Sequence, residues 1–94
     1  MQCTGPVPSI EQVALRDPAE PGQPYEVDVQ VRNRWRGHGE IQLTAQLRDT
    51  ANGRNYVGQQ NAVMQGGETI RVMIPVRAEK GEYEPRVEVE YPPK

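Results

Sequence analysis

Residues 25–35 read as one strand whose period of two has no fault. Tyr25, Val27, Val29 and Val31 hold one set of positions, and Glu26, Asp28, Gln30 and Arg32 hold the other. Successive side chains of an extended strand point to opposite faces, so a period of two dictates a strand with one buried and one wet face. The pattern recurs at 41–48, with Ile41, Leu43, Ala45 and Leu47 inward and Gln42, Thr44, Gln46 and Arg48 outward. At 69–77, Ile70, Val72, Ile74 and Val76 oppose Thr69, Arg71, Met73, Pro75 and Arg77. The last segment sets Tyr83, Val87, Val89 and Tyr91 against Glu84, Arg86, Glu88 and Glu90. No helical period competes over a window long enough to matter, and the chain reads as all-β.

Two further segments are flawed strands. Around 9–16, Ile10 is out of phase with Val13 and Leu15, which a β-bulge near Glu11 and Gln12 would reconcile. Residues 55–64 scatter Tyr56, Val57, Val63 and Met64 among Gly, Gln and Asn, as an irregular edge strand does. Turn chemistry separates the strands: Pro18, Pro21, Gly22 and Pro24 make a corner, Gly37 and Gly39 a short link, and Asn52-Gly53 a hairpin signal. Gln65-Gly66-Gly67 and Lys80-Gly81 close the remaining connections. Every link is too short for a crossover helix, so the strands pair antiparallel. Pro75 and Pro85 each lack a ladder donor, which places their strands at an edge or a bulge.

The size of the chain, 94 residues, suits one domain. The alternating segments mark residues 9–91 as that domain, with a flexible N-terminal segment at 1–8 and a C-terminal tail at 92–94. Rows that are apolar on one face need a second sheet to cover them, so the fold expected is an antiparallel β-sandwich of six to seven strands, immunoglobulin-like in type.

Catalytic chemistry is thinly provided. His38 is the only histidine and lies between two glycines, better placed as a turn residue than as a general base. One His and one remote Cys cannot hold zinc, and no acidic cluster has the spacing of a calcium loop. We therefore expect no enzyme, no metal and no cofactor. Cys3 is the only cysteine, which excludes an intrachain disulfide. It reads either as a free terminal thiol or as the lipid-attachment cysteine of a bacterial lipoprotein, with Thr4-Gly5-Pro6-Val7-Pro8 as tether. No stretch approaches the ~18 consecutive apolar residues of a membrane span, so a membrane would be met only through such an anchor.

Gly22-Gln23-Pro24-Tyr25 running on through Asn33 resembles the second strand of the CARDB-type immunoglobulin-like domains of bacterial envelope proteins. Gly66-Gly67-Glu68-Thr69-Ile70-Arg71-Val72 is similar to that family's Gly-Glu-Thr element, and Gly81-Glu82-Tyr83 with Val87 and Val89 to its closing strand. The resemblance spans roughly residues 7–91. It implies an extracytoplasmic adhesion, accessory or spacer module without catalytic activity, in the periplasm or at the cell surface. It carries over no site residues.

The sequence offers two places for a partner surface: the irregular strand 55–64, which could accept a β-strand from another chain, and the turn around Trp35. Trp35 sits between Arg34 and Arg36, close to Arg32 and His38. It either caps the core as the largest hydrophobe or heads an exposed cationic and aromatic patch, the residue types in which interface hot spots are rich. The partner expected is another protein or a cell-surface glycan, with the domain itself a monomer. For a glycan, Trp35 and Tyr56 would be the stacking platforms. The net charge of −2 and the Glu82, Glu84, Glu88, Glu90 run argue against nucleic acid. Tyr83 is expected to hydrogen-bond back to the loop before it, as a tyrosine corner does.

Overall fold

The computed structural model describes residues 5–93. Among them run six strands: β1 (Pro8–Arg16), β2 (Tyr25–Asn33), β3 (Gly39–Asp49), β4 (Asn55–Met64), β5 (Thr69–Val76) and β6 (Tyr83–Glu90). They form two antiparallel three-stranded sheets, ordered β1-β2-β5 and β4-β3-β6. This is a six-stranded immunoglobulin-like sandwich. The faultless alternations of 25–35 and 41–48 became the central strands β2 and β3, although β2 stops at Asn33 and does not run on to Trp35, and the flawed segments became the edges β1 and β4. The strands of Pro75 and Pro85 are also edges, where an absent donor breaks no inner ladder. The register of β1 on β2 slips between Ile10 and Gln12, which brings Ile10, Val13 and Leu15 onto the same inner face.

The core is the inner rows of the two sheets. Val27, Val29 and Val31 of β2 face Ile41, Leu43, Ala45 and Leu47 of β3, all without solvent exposure, and Ile74, Val76 and Met64 close the layer. Burial falls off toward β1 and β6: Ile10, Val13, Leu15, Val87 and Val89 are half-buried against that core. The opposite flank is tighter because of one residue. A Cβ at Gly58 of β4 would stand 2.2 Å from the Pro75 carbonyl oxygen of β5, so only glycine lets the two edges meet.

Three connections lie at one end of the sandwich and two at the other. At one end lie the 17–24 corner, the β3–β4 hairpin and the β5–β6 link. Gly53 takes the left-handed conformation that the hairpin needs (φ 74°), and the Asp49 carboxylate accepts from the N–H of Ala51 at 2.8 Å. The Tyr25 hydroxyl both donates to the Gly81 carbonyl and accepts from the Gly81 N–H. The Tyr83 hydroxyl donates back to the Glu79 carbonyl, the tyrosine corner expected there. At the other end lie the β2–β3 and β4–β5 turns, together with both ends of the described chain. Gly5 and Pro6, which the sequence assigns to a flexible leader, are buried. The Tyr91 ring lies against Gly5 and Gly39, close enough that a Cβ on Gly39 would stand 2.8 Å from it.

Candidate functional site

The strand β2 ends at Asn33 because the side chain of Asn33 diverts the backbone. This amide is 1% exposed and uses all its capacity. Its Oδ1 accepts from the N–H of Val7 and from the N–H of Trp35, each at 3.0 Å. Its Nδ2 donates to the carbonyls of Gly37 at 2.7 Å and of Gln65 at 2.9 Å. One buried side chain thus ties together the start of β1, the β2–β3 turn and the β4–β5 turn. Burial of an amide is costly unless every lone pair and proton is matched, and here each is.

Trp35 leaves the inner row at this point. Its carbonyl accepts from the N–H of Gly67 at 2.9 Å, and its side chain turns outward, 40% exposed. It does not cap the core. The Arg36 guanidinium stands 5.3 Å from the centre of the Trp35 ring, within cation–π range. Arg34 pairs with Glu11 of β1 at 3.2 Å, and its side chain stays half-exposed, so this pair is weakened by salt. Arg32 and Arg36 form no ion pair among the described residues. The result is an open saddle lined by Arg32, Asn33, Arg34, Trp35, Arg36 and the Gly66–Gly67 backbone. Gly66 is fixed by contact: a Cβ there would lie 2.4 Å from the Arg36 carbonyl oxygen.

The other expected site residues are distributed differently. His38 is exposed at the end of the same turn but does not line the saddle. Tyr56 is not brought to Trp35. It pairs in register with Leu47, far along β3, and its ring packs edge-on against Tyr83 at 5.7 Å. Counted along β3, Leu47 lies about 26 Å from Gly39, the strand end that the Trp35 turn enters. Cys3 lies outside the described residues. No group of three metal-ligating side chains occurs among the described residues.

One charged cluster was not singled out from the sequence. Asp28 faces outward on β2, yet it is only 5% exposed, because Arg16 of β1 and Arg71 of β5 fold over it. The Arg71 hydrogen bonds, more than offsetting the cost of burial, hold the Asp28 carboxyl below its ordinary value of 3.8, with Arg16 adding to the effect. The alternation marked Asp28 and Arg71 as outward. Their meeting depends on which strands are neighbours, and that is written only in the fold.

No protein-family model, no curated protein and no solved structure matches this chain.

Proposed function

We propose that the chain is a non-catalytic binding module of a bacterial cell-envelope protein, and that the Arg34–Trp35–Arg36 turn is the surface it presents to its partner. The observation that carries this reading is the exposed indole of Trp35, stacked under Arg36 on a turn pinned by Asn33. A large apolar ring kept in water costs solvation that a partner would recover. A rigid turn loses little entropy on binding, and Trp with Arg are the residues that dominate interface hot spots. The extracytoplasmic placement rests on the CARDB-type resemblance of 7–91.

The contact reading is favoured over the spacer reading by where the chain enters and leaves. Gly5 and Tyr91 touch at the Trp35 end, so neighbours joined to both would not be held a domain-length apart. A lipid on Cys3 would tether the domain by this same end. A glycan partner is the alternative, and it would use Trp35 as its single platform, since Tyr56 lies elsewhere.

Trp35 is the only tryptophan, so its fluorescence reports the surface directly. The test is titration of the protein with isolated cell-wall sacculi and with solubilised envelope proteins, beside a Trp35→Phe variant assayed by co-sedimentation. A saturable emission shift in one fraction, with reduced sedimentation of the variant, is the expected result. An unchanged spectrum in both fractions would remove the proposal.

A further inference from the structure

The outer face of the β1-β2-β5 sheet carries an arrangement separate from the Trp35 saddle. Oδ2 of Asp28 accepts from Nη2 of Arg16 at 3.0 Å and from Nη2 of Arg71 at 2.6 Å, while Oδ1 accepts from Nε of Arg71 at 2.9 Å. Two guanidinium groups are therefore held within two hydrogen-bond lengths of each other by a single carboxylate. Two guanidinium cations share one carboxylate, so the triad keeps a surplus positive charge. Both arginine side chains remain more than half exposed, at 56% and 66%, and their outer edges face solvent. Glu26 stands opposite Arg16 in the register but forms no ion pair with it, and Arg32, the next charge along the face, adds to the positive sign.

Above the triad is a hollow of about 470 Å³, within the range of small-ligand sites. Ala14, opposite Asp28 in the register, lines it with a small side chain. Gln12, Gln30 and Thr69 supply amide and hydroxyl groups around it.

We propose that this hollow binds a sugar acid, either free or as a uronate unit of an acidic glycan. The carboxylate meets the outward N–H edges of Arg16 and Arg71 and balances the surplus charge. Sugar hydroxyls exchange hydrogen bonds with Gln12, Gln30 and Thr69. Asp28 is the positioning residue: it fixes both guanidinium groups before the ligand arrives, which lowers the entropy lost on binding. A neutral sugar lacks the charge, and a bare oxyanion leaves the amide rim unused. No residue lining the hollow also lines the Trp35 saddle, and the site stands or falls independently of it.

The test is a ¹H–¹⁵N NMR titration at constant ionic strength with sodium glucuronate, glucose, sodium acetate and sodium phosphate as separate probes. Glucuronate is expected to move the Nε–H signals of Arg16 and Arg71 and the side-chain amides of Gln12 and Gln30, with saturation in the millimolar range. Acetate and phosphate are expected to bind about tenfold more weakly, and glucose not at all. Arg16→Gln should weaken glucuronate about tenfold while leaving the fold intact, because Arg71 still pairs with Asp28. Gln30→Ala, which changes no charge, should weaken glucuronate and leave acetate unaffected. The proposal is overturned by the absence of saturable shifts with glucuronate, by equal saturation with acetate or phosphate, or by unaltered glucuronate affinity in both folded variants.

Discussion

Asn33 donates from its buried side-chain amide to the carbonyl of Gln65 at 2.9 Å, across 32 residues of chain. That bond joins the exit of β2 to the turn leading into β5, and with its three companions it decides where Trp35 stands. A strand residue that should have continued the inner row is replaced by a side chain that satisfies backbone groups of three segments at once.

Removing this hub is expected to be expensive. Asn33→Ala leaves two carbonyls and two N–H groups without their partner, partly within reach of water. We expect a loss of about 2–4 kcal/mol, seen as a fall in melting temperature of roughly 10–20 °C. Asn33→Asp should fare little better, since it retains the acceptor but replaces the donor with a second oxygen facing the carbonyls of Gly37 and Gln65. Calorimetry of both variants checks this.

The Trp35 saddle should show its charge in quenching. Iodide is expected to quench Trp35 fluorescence more strongly than caesium at low ionic strength, because Arg32, Arg34 and Arg36 surround the ring. The gap should narrow as added salt shortens the Debye length to about 3 Å near 1 M. Equal quenching by the two ions at low salt would show that the field at the saddle is not cationic.

Asp28 predicts a pH dependence with a definite sign. Its carboxyl titrates below the ordinary value in the folded chain, chiefly through the Arg71 hydrogen bonds. The stability it contributes is therefore complete above the ordinary carboxylate range and is lost as pH falls through the depressed value. Asp28→Asn is expected to lower the urea midpoint by about 0.5 M at pH 7 and to narrow the gap to wild type at pH 2.

The corner tyrosine predicts a dependence at the alkaline end. Burial, aided by the neighbouring Tyr56 and Asp49, raises the Tyr83 phenol above its ordinary value of 10.0. The neutral form is the one that donates to Glu79, so its contribution is complete below that value and is lost as pH rises through the raised one. Tyr83→Phe should cost about 1 kcal/mol at pH 7, with the difference from wild type shrinking in strong alkali. Urea melts at pH 7 and pH 11 measure both.

Glycine substitutions should separate contact from conformation. Gly58→Ala places a methyl 2.2 Å from the Pro75 carbonyl oxygen and must push β4 off β5, at an expected cost of about 2–3 kcal/mol. Gly53→Ala meets nothing within 4 Å, so it pays only for the left-handed backbone, about 1 kcal/mol. A larger loss at Gly53 than at Gly58 would contradict the close approach of the two edges.

The strands were legible because their cause is local. Val27, Val29 and Val31 bury because they share a face, and no distant residue is needed to say so. The bulge near Glu11, the edge positions of Pro75 and Pro85 and the Tyr83 corner follow from equally local reasoning about phase, donors and turns. The candidate site was half legible. Trp35 and its arginines could be named, but the alternation carried the strand on through Trp35 and left its side chain either inside or out. Tyr56 could be seen as an aromatic on a strand, while its distance from Trp35 could not be seen at all.

What the sequence by itself determined is the all-β character, the faces of the strands and the antiparallel connections, since each follows from a period of two and the reach of short turns. What only the tertiary structure decided is which strands are neighbours. That choice set Asp28 between Arg16 and Arg71, laid Gly58 against Pro75, and brought Val7, Gly37 and Gln65 around Asn33. The physical reason is that these contacts are made across sheets and between strands distant in sequence, where the energy of a pair depends on geometry that no local window contains. Trp35 points outward because Asn33 found its partners there.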